Sequence, residues 1–110
     1  MFLYAETVLE EKMSKRTIDE KAFEELAEVF CQINDKNEMK VFIEEILTGK
    51  ECFDLVMRWK LLKAIYKGQT QRKIAQNYKI SLCRITRGSK ILKKKDSVVK
   101  NILDNFNFED

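Results

Sequence analysis

The side chains of this sequence best equipped for chemistry are cations. Between residues 58 and 100 stand 14 Lys and Arg against one acid, a net of +13. Residues 1–57 carry 7 basic and 14 acidic side chains, a net of −7, and residues 101–110 hold three acids and no base. The whole-chain net of +3 hides this segregation. A strongly basic segment on a folded body implies a polyanion-binding surface, although a solvated lysine face has the same composition. Covalent chemistry is poorly supplied. The 110 residues contain no histidine, which removes the usual general base and nearly every Cys/His zinc scheme. Neither a catalytic set nor a metal site is expected. Cys31, Cys52 and Cys83 stand at long spacings and read as reduced thiols of a cytoplasmic protein rather than a disulfide framework. No apolar run approaches the roughly 18 residues that span a membrane. The start, Met1 to Glu6, turns acidic too soon for a signal peptide.

The elements that must hold these cations are helices. With no proline and three glycines, a turn-rich β-sandwich is excluded, and the expected class is all-α with about six helices. Residues 1–16 read as a flexible arm and residues 17–110 as one helical domain. Thr17-Ile18-Asp19-Glu20 fits a capping box, followed by Ile18, Ala22, Leu26, Val29, Phe30 and Ile33 at helical spacing. Asn34-Asp35 ends that helix. Met39, Phe42, Ile43, Ile46 and Leu47 form a shorter second one. Thr48-Gly49-Lys50-Glu51 is another capping box, opening a long helix to about Lys67, with Gly68 at its left-handed end. Asp96 or Ser97 caps a last helix carrying Val98, Val99, Ile102, Leu103 and Phe106. The apolar faces of the first, third and last helices together exceed what one chain of this length can cover, which predicts a homodimer.

Residues 70–92 carry the strongest pattern. Thr70 caps a short helix from Gln71 to about Tyr78. Lys79-Ile80 makes a turn, and Ser81 caps a second helix from Leu82 to about Leu92. Ala75, Ile80 and Ile85 stand at offsets 0, 5 and 10, as a helix-turn-helix needs: one small residue where the helices cross and two apolar plugs. The second helix then turns Cys83, Arg84 and Arg87 outward, with Lys90, Lys93 and Lys94 following. Arg near a helix N-terminus can reach a guanine edge bidentately, while Lys and Ser hold phosphates. Gln71, Arg72, Ser81, Leu82 and Thr86 complete the expected DNA surface. Lys79 sits where many such turns place glycine. A lysine in the left-handed region costs roughly 1–2 kcal/mol, which predicts an adjusted turn.

At this point the sequence resembles the tryptophan-dependent Trp repressor family. Leu47-Thr48-Gly49-Lys50-Glu51, Arg58, Gln71-Arg72 and above all Ile85-Thr86-Arg87-Gly88-Ser89 match it in order, over about residues 30–106, with a one-residue deletion beside Gln69. The resemblance implies an intertwined homodimer that represses tryptophan biosynthesis genes from a near-palindromic operator in double-stranded DNA. It also implies L-tryptophan as corepressor ligand, with no other cofactor. Arg58 and Arg87 would stack on the indole from opposite sides, and the Arg87 fork suits the carboxylate. Thr48 would place a hydroxyl near that polar end, Gly88 would let backbone approach the ring, and carbonyls near Leu47 of the other subunit would take the ammonium. Two positions depart from the pattern. Ile91 replaces a serine, removing one polar contact, and Gly49 replaces a proline at the first turn of the long helix. Taken singly, Arg58 also reads as a surface arginine, Arg87 as a phosphate contact and Thr48 as a cap. A ligand-independent helix-turn-helix module of replication-initiator or transposase type, or a helical adaptor binding proteins through its acidic first helix, are the other readings of these residues.

Overall fold

The computed structural model describes residues 17–106. They form six helices and no strand: α1 (Glu20–Gln32), α2 (Lys36–Ile46), α3 (Gly49–Tyr66), α4 (Gln71–Tyr78), α5 (Leu82–Lys93) and α6 (Val98–Asn105). The arm expected over residues 1–16 lies outside the described residues. The chain divides into two compact units, with the boundary between Ile43 and Glu44.

The first unit is thinly packed. Its helix α1 starts later than the sequence predicts: Asp19, not Thr17, is the N-cap, and its carboxylate accepts the Ala22 N–H at 3.2 Å. A carboxylate caps at least as well as a threonine hydroxyl and adds negative charge to the helix N-terminus. Asp35 does not simply end α1. Its side chain accepts the Glu38 N–H at 2.9 Å and so opens the next helix. Phe30 and Phe42 meet edge to face with centroids 5.3 Å apart, yet no residue of α1 or α2 is fully buried.

The second unit has a true core, built around the C-terminal half of α3. Leu61 and Ala64 pack with Ile74 of α4 and Ile85 of α5, and Ile65, Ala75, Tyr78 and Ile80 close the cluster. Ile74 and Ile85 are wholly inaccessible to solvent. The three residues at offsets 0, 5 and 10 therefore converge on one core. Helix α3 begins with the expected capping box: Thr48 Oγ1 accepts the Glu51 N–H at 3.1 Å, and Glu51 Oε1 accepts the Thr48 N–H at 2.9 Å. It ends at Gly68, whose φ of 88° lets its N–H reach the Ile65 carbonyl while the Gln69 N–H reaches Ala64. That is the paired-bond ending a left-handed residue makes possible.

The turn between α4 and α5 is not adjusted. Lys79 adopts the left-handed conformation, φ 55° and ψ 46°, and donates its N–H to the Ala75 carbonyl at 2.9 Å. Burial of Ile74, Ala75, Tyr78, Ile80 and Ile85 in one cluster holds the chain there against the local preference of a lysine. Of the two caps open for the last helix, Ser97 serves, accepting the Lys100 N–H at 3.1 Å, while Asp96 takes a positive φ of 59°. Helix α6 buries Leu103 and sets Phe106 edge-on to Trp59 of α3, 6.1 Å between centroids. The lone tryptophan is thus packing material. Tyr66 donates its hydroxyl to Asp104 at 2.6 Å, and Lys100 holds the same carboxylate at 3.0 Å, closing α6 onto the end of α3.

Candidate ligand cleft and cationic helix face

Helix α5 has three functional sides. Ile85, Gly88 and Leu92 are buried. Leu82, Cys83, Thr86, Arg87 and Lys90 line a shallow hollow on its exposed side. Arg84, Arg87, Gly88 and Ile91, spaced three, one and three residues apart, face a cleft shared with Arg58, Leu61 and Leu62 of α3. Positions three and four apart fall on one helical face, and two such stripes, one on each helix, make the walls.

The cleft measures about 90 Å³. Three of the expected ligand residues, Arg58, Arg87 and Gly88, come together in it although 29 positions separate the first two. Gly88 has a further reason to be glycine. A Cβ there would stand 2.9 Å from Cδ1 of Ile65 and 3.6–3.7 Å from Leu62 and Leu61, so its missing side chain lets α5 settle against α3 as well as opening the cleft. The two other expected residues are elsewhere. Leu47 and Thr48 line a separate hollow with Gly49, Cys52, Phe53 and Val56 at the start of α3. Ten residues of helix separate Thr48 from Arg58, about 15 Å along the axis at about 1.5 Å per residue. The Thr48 hydroxyl oxygen serves its own helix as acceptor, leaving its O–H free to donate.

Arg84, Leu61 and Leu62 are cleft residues that the sequence reading did not place there, whereas Ile91 stands at the ligand wall where the resemblance put it. Arg84 was expected on the outward face with Cys83. Its spacing of three from Arg87 and seven from Ile91 was the available signal.

Every residue expected to touch DNA is exposed: Gln71 and Arg72 at the start of α4, Ser81 to Arg84, Thr86, Arg87 and Lys90 along α5, and Lys93 and Lys94 at its end. Thr70 and Ser81 cap their helices, accepting the Lys73 N–H at 3.1 Å and the Arg84 N–H at 3.3 Å. Both helix N-termini are therefore closed by a side-chain cap. Lys90 and Lys93 sit in the last turn of α5, where the helix dipole favours positive charge. The described residues contain no group of three or more His, Cys, Asp or Glu able to hold a metal ion. No helix among them is long and apolar enough to cross a membrane.

An all-helical body with an outward cationic helix above a cation-lined cleft is the build of a DNA-binding regulator. Comparison with known proteins gives its family. The sequence profile described as Trp repressor protein matches residues 21–107. A Trp operon repressor homolog of Xylella fastidiosa is 33% identical over 85 residues, covering 76% of this chain and 90% of the relative. The homolog of Chlamydia trachomatis serovar L2 is 32% identical over 81 residues, 69% of this chain and 86% of the relative. That of Chlamydia caviae is 33% identical over 90 residues, 81% and 89% of the two chains. No solved structure matches this chain. The chain belongs to the Trp repressor family, and with that membership it is a DNA-binding transcription regulator of the repressor class.

Proposed function

We propose that this protein is a cytoplasmic homodimeric repressor whose hold on operator DNA is switched by L-tryptophan seated between α3 and α5, and that it controls tryptophan biosynthesis genes. The observation that carries this reading is the convergence of Arg58, Arg87 and Gly88 on one cleft directly behind the exposed cationic face of α5. Two guanidinium groups and aliphatic walls suit an indole ring and a carboxylate. Arg87 lines both the cleft and the outer hollow, so a ligand touching it acts on the DNA face through one side chain.

Residues 70–92 work as a helix-turn-helix, with α5 in the major groove and the lysines at its end on phosphates. Thr48 and Leu47 supply the ligand's polar end from the second copy, because about 15 Å of helix keeps them from the Arg58 of their own chain. The dimer is favoured by the apolar residues left exposed on unpartnered faces: Phe23 at 52%, Phe53 at 64% and Val98 at 70%. In the dimer, residues 17–110 act as one helical domain. Tryptophan sets the two heads at one turn of DNA, about 34 Å apart, and by linkage DNA tightens tryptophan binding by the same factor.

The test uses a duplex selected by the protein from a random pool in the presence of tryptophan. Affinity is then measured at fixed salt with and without L-tryptophan, for wild type and Arg58→Leu. Tryptophan should tighten wild-type binding, and Arg58→Leu should weaken tryptophan binding about ten-fold, the loss of one desolvated planar cation contact. DNA affinity without ligand should hardly change. Equal affinity with and without tryptophan in the wild type would show a ligand-independent DNA-binding module instead.

A further inference from the structure

Three lysines of the basic segment line neither the cleft nor the outer hollow of α5. With about 3.6 residues per turn, Lys60, Lys63 and Lys67 fall on the side of α3 opposite Arg58. They line a separate hollow of about 360 Å³ with the buried Ala64, with Gln69 and with Tyr78, the last residue of α4. None of its described lining residues is acidic. The Lys60 ammonium stands 5.3 Å from the centroid of the Tyr78 ring, a cation–π contact that joins α3 to α4. Lys63 is half-buried, and Lys60 and Lys67 are exposed.

Ammonium groups gathered on one side of a helix repel one another, and an anion of two or more charges among them relieves that repulsion. Each ammonium has three N–H donors, so a lysine's other contacts leave donors for an incoming oxygen. The donor type selects the anion. Lysine is a point charge with rotatable donors, suited to the clustered oxygens and multiple charge of phosphate. A carboxylate is met best by the fork of arginine, and no arginine lines this hollow. The Gln69 amide and the Tyr78 hydroxyl add neutral donors. The volume lies within the range of small-molecule sites, about 300–1,000 Å³.

We propose that this hollow is a second anion site, for a small phosphate-bearing molecule of two or more negative charges, a polyphosphate or a phosphate ester. It does not depend on the cleft's being the tryptophan site. Tyr78 stands one residue before the left-handed Lys79, so an anion spanning the lysines and Tyr78 ties the end of α4 to α3 next to the α4–α5 turn. Exposure of Lys60 and Lys67 keeps each contact modest and salt-sensitive.

The experiment titrates the full-length protein with pyrophosphate, and with citrate as a carboxylate of similar charge, by calorimetry at low salt. The same titrations are followed by NMR through the Ala64 methyl and the Gln69 side-chain amide. Pyrophosphate should bind about fivefold or more tightly than citrate and move both signals. Lys60→Gln should weaken pyrophosphate about two- to fivefold, and Lys60→Gln combined with Lys63→Gln and Lys67→Gln about tenfold or more. Lys73→Gln, which removes the same charge from an exposed position on α4 outside the hollow, should change it little. Circular dichroism on each variant confirms an unchanged fold. Citrate binding as tight as that of pyrophosphate overturns the proposal. So do unmoved Ala64 and Gln69 signals, or equal losses in Lys60→Gln and Lys73→Gln. Affinity for a random-sequence duplex that falls as far as pyrophosphate affinity in the triple variant would assign the hollow to DNA phosphate and overturn the small-ligand reading. None of these outcomes bears on the cleft between α3 and α5.

Discussion

The two halves of α3 are built from similar residues and meet different fates. From Leu61 onward the helix is covered by its own chain: α4, α5 and α6 all pack on it, and Leu61 and Ala64 are buried. Before Arg58 it carries Phe53, Leu55 and Val56 with nearly half or more of each exposed. Their apolar character would be wasteful in a monomer, since burying such a side chain is worth about 1.5–3 kcal/mol. The difference separates a part of the helix that holds α4 and α5 from a part whose apolar side chains stay exposed, the face that the proposed dimer would cover. The cleft residues Arg58 and Leu61 sit at the junction.

Breaking the covered half should have the largest effect. Ile85→Ala opens a cavity in the cluster of Leu61, Ala64 and Ile74 and should cost about 2–5 kcal/mol. Chemical denaturation at one protein concentration reads this loss, and DNA binding should fall with it because α5 loses its seat. A cost below about 1 kcal/mol would mean that this core is not tightly packed.

Phe53→Glu tests the open half. It puts a charge into a seam that a second copy should cover, so sedimentation at micromolar concentration should show the dimer lost. A variant that stays dimeric would move the interface elsewhere.

Lys79→Gly should sharpen the comparison in the stabilising direction. The position is already left-handed, where glycine avoids the cost to a lysine. Stability should rise by about 1 kcal/mol, seen as an increase of a few degrees in Tm. A fall in Tm would show that the turn differs in solution.

The smallest effect belongs to the tie between α3 and α6. Hydrogen bonds from Tyr66 and Lys100 hold the Asp104 carboxyl below the usual carboxylate range. The same bond to Asp104 pushes the Tyr66 hydroxyl above the usual tyrosine range. The carboxylate's contribution is present above its unfolded value and is lost as pH falls through the lowered one. The tyrosine's is present below its unfolded value and is lost as pH rises through the raised one. Tyr66→Phe should therefore lower stability slightly near neutral pH and flatten both limbs of the pH profile. Unchanged limbs would mean that this exposed contact is not formed in water.

Local signals were legible wherever the responsible interaction spans a few residues. The capping box at Thr48 and the glycine end at Gly68 are contacts within one turn, so residue types and spacing suffice. The same locality explains one misreading. Thr17 and Asp19 are both good caps two residues apart, and the choice between them depends on which fits the start of α1. At Lys79 the local rule pointed the wrong way, because a buried cluster spread over α3, α4 and α5 outweighs one residue's conformational preference. Arg84 shows the same limit at the cleft. Its place on one helical stripe with Arg87 and Ile91 was visible, but an arginine early on the helix reads as an outward DNA contact.

The sequence by itself determined the helical class, the segregation of charge, most helix ends and the family, all of which depend on near neighbours or on residue types alone. Tertiary structure decided which distant side chains share a cavity. It brought Arg58 and Arg87 together and added Arg84. Those outcomes follow from how α3 and α5 pack, with Gly88 close against Leu61, Leu62 and Ile65. Such a contact exists only after both helices have formed and packed, so no local stretch of the chain encodes it.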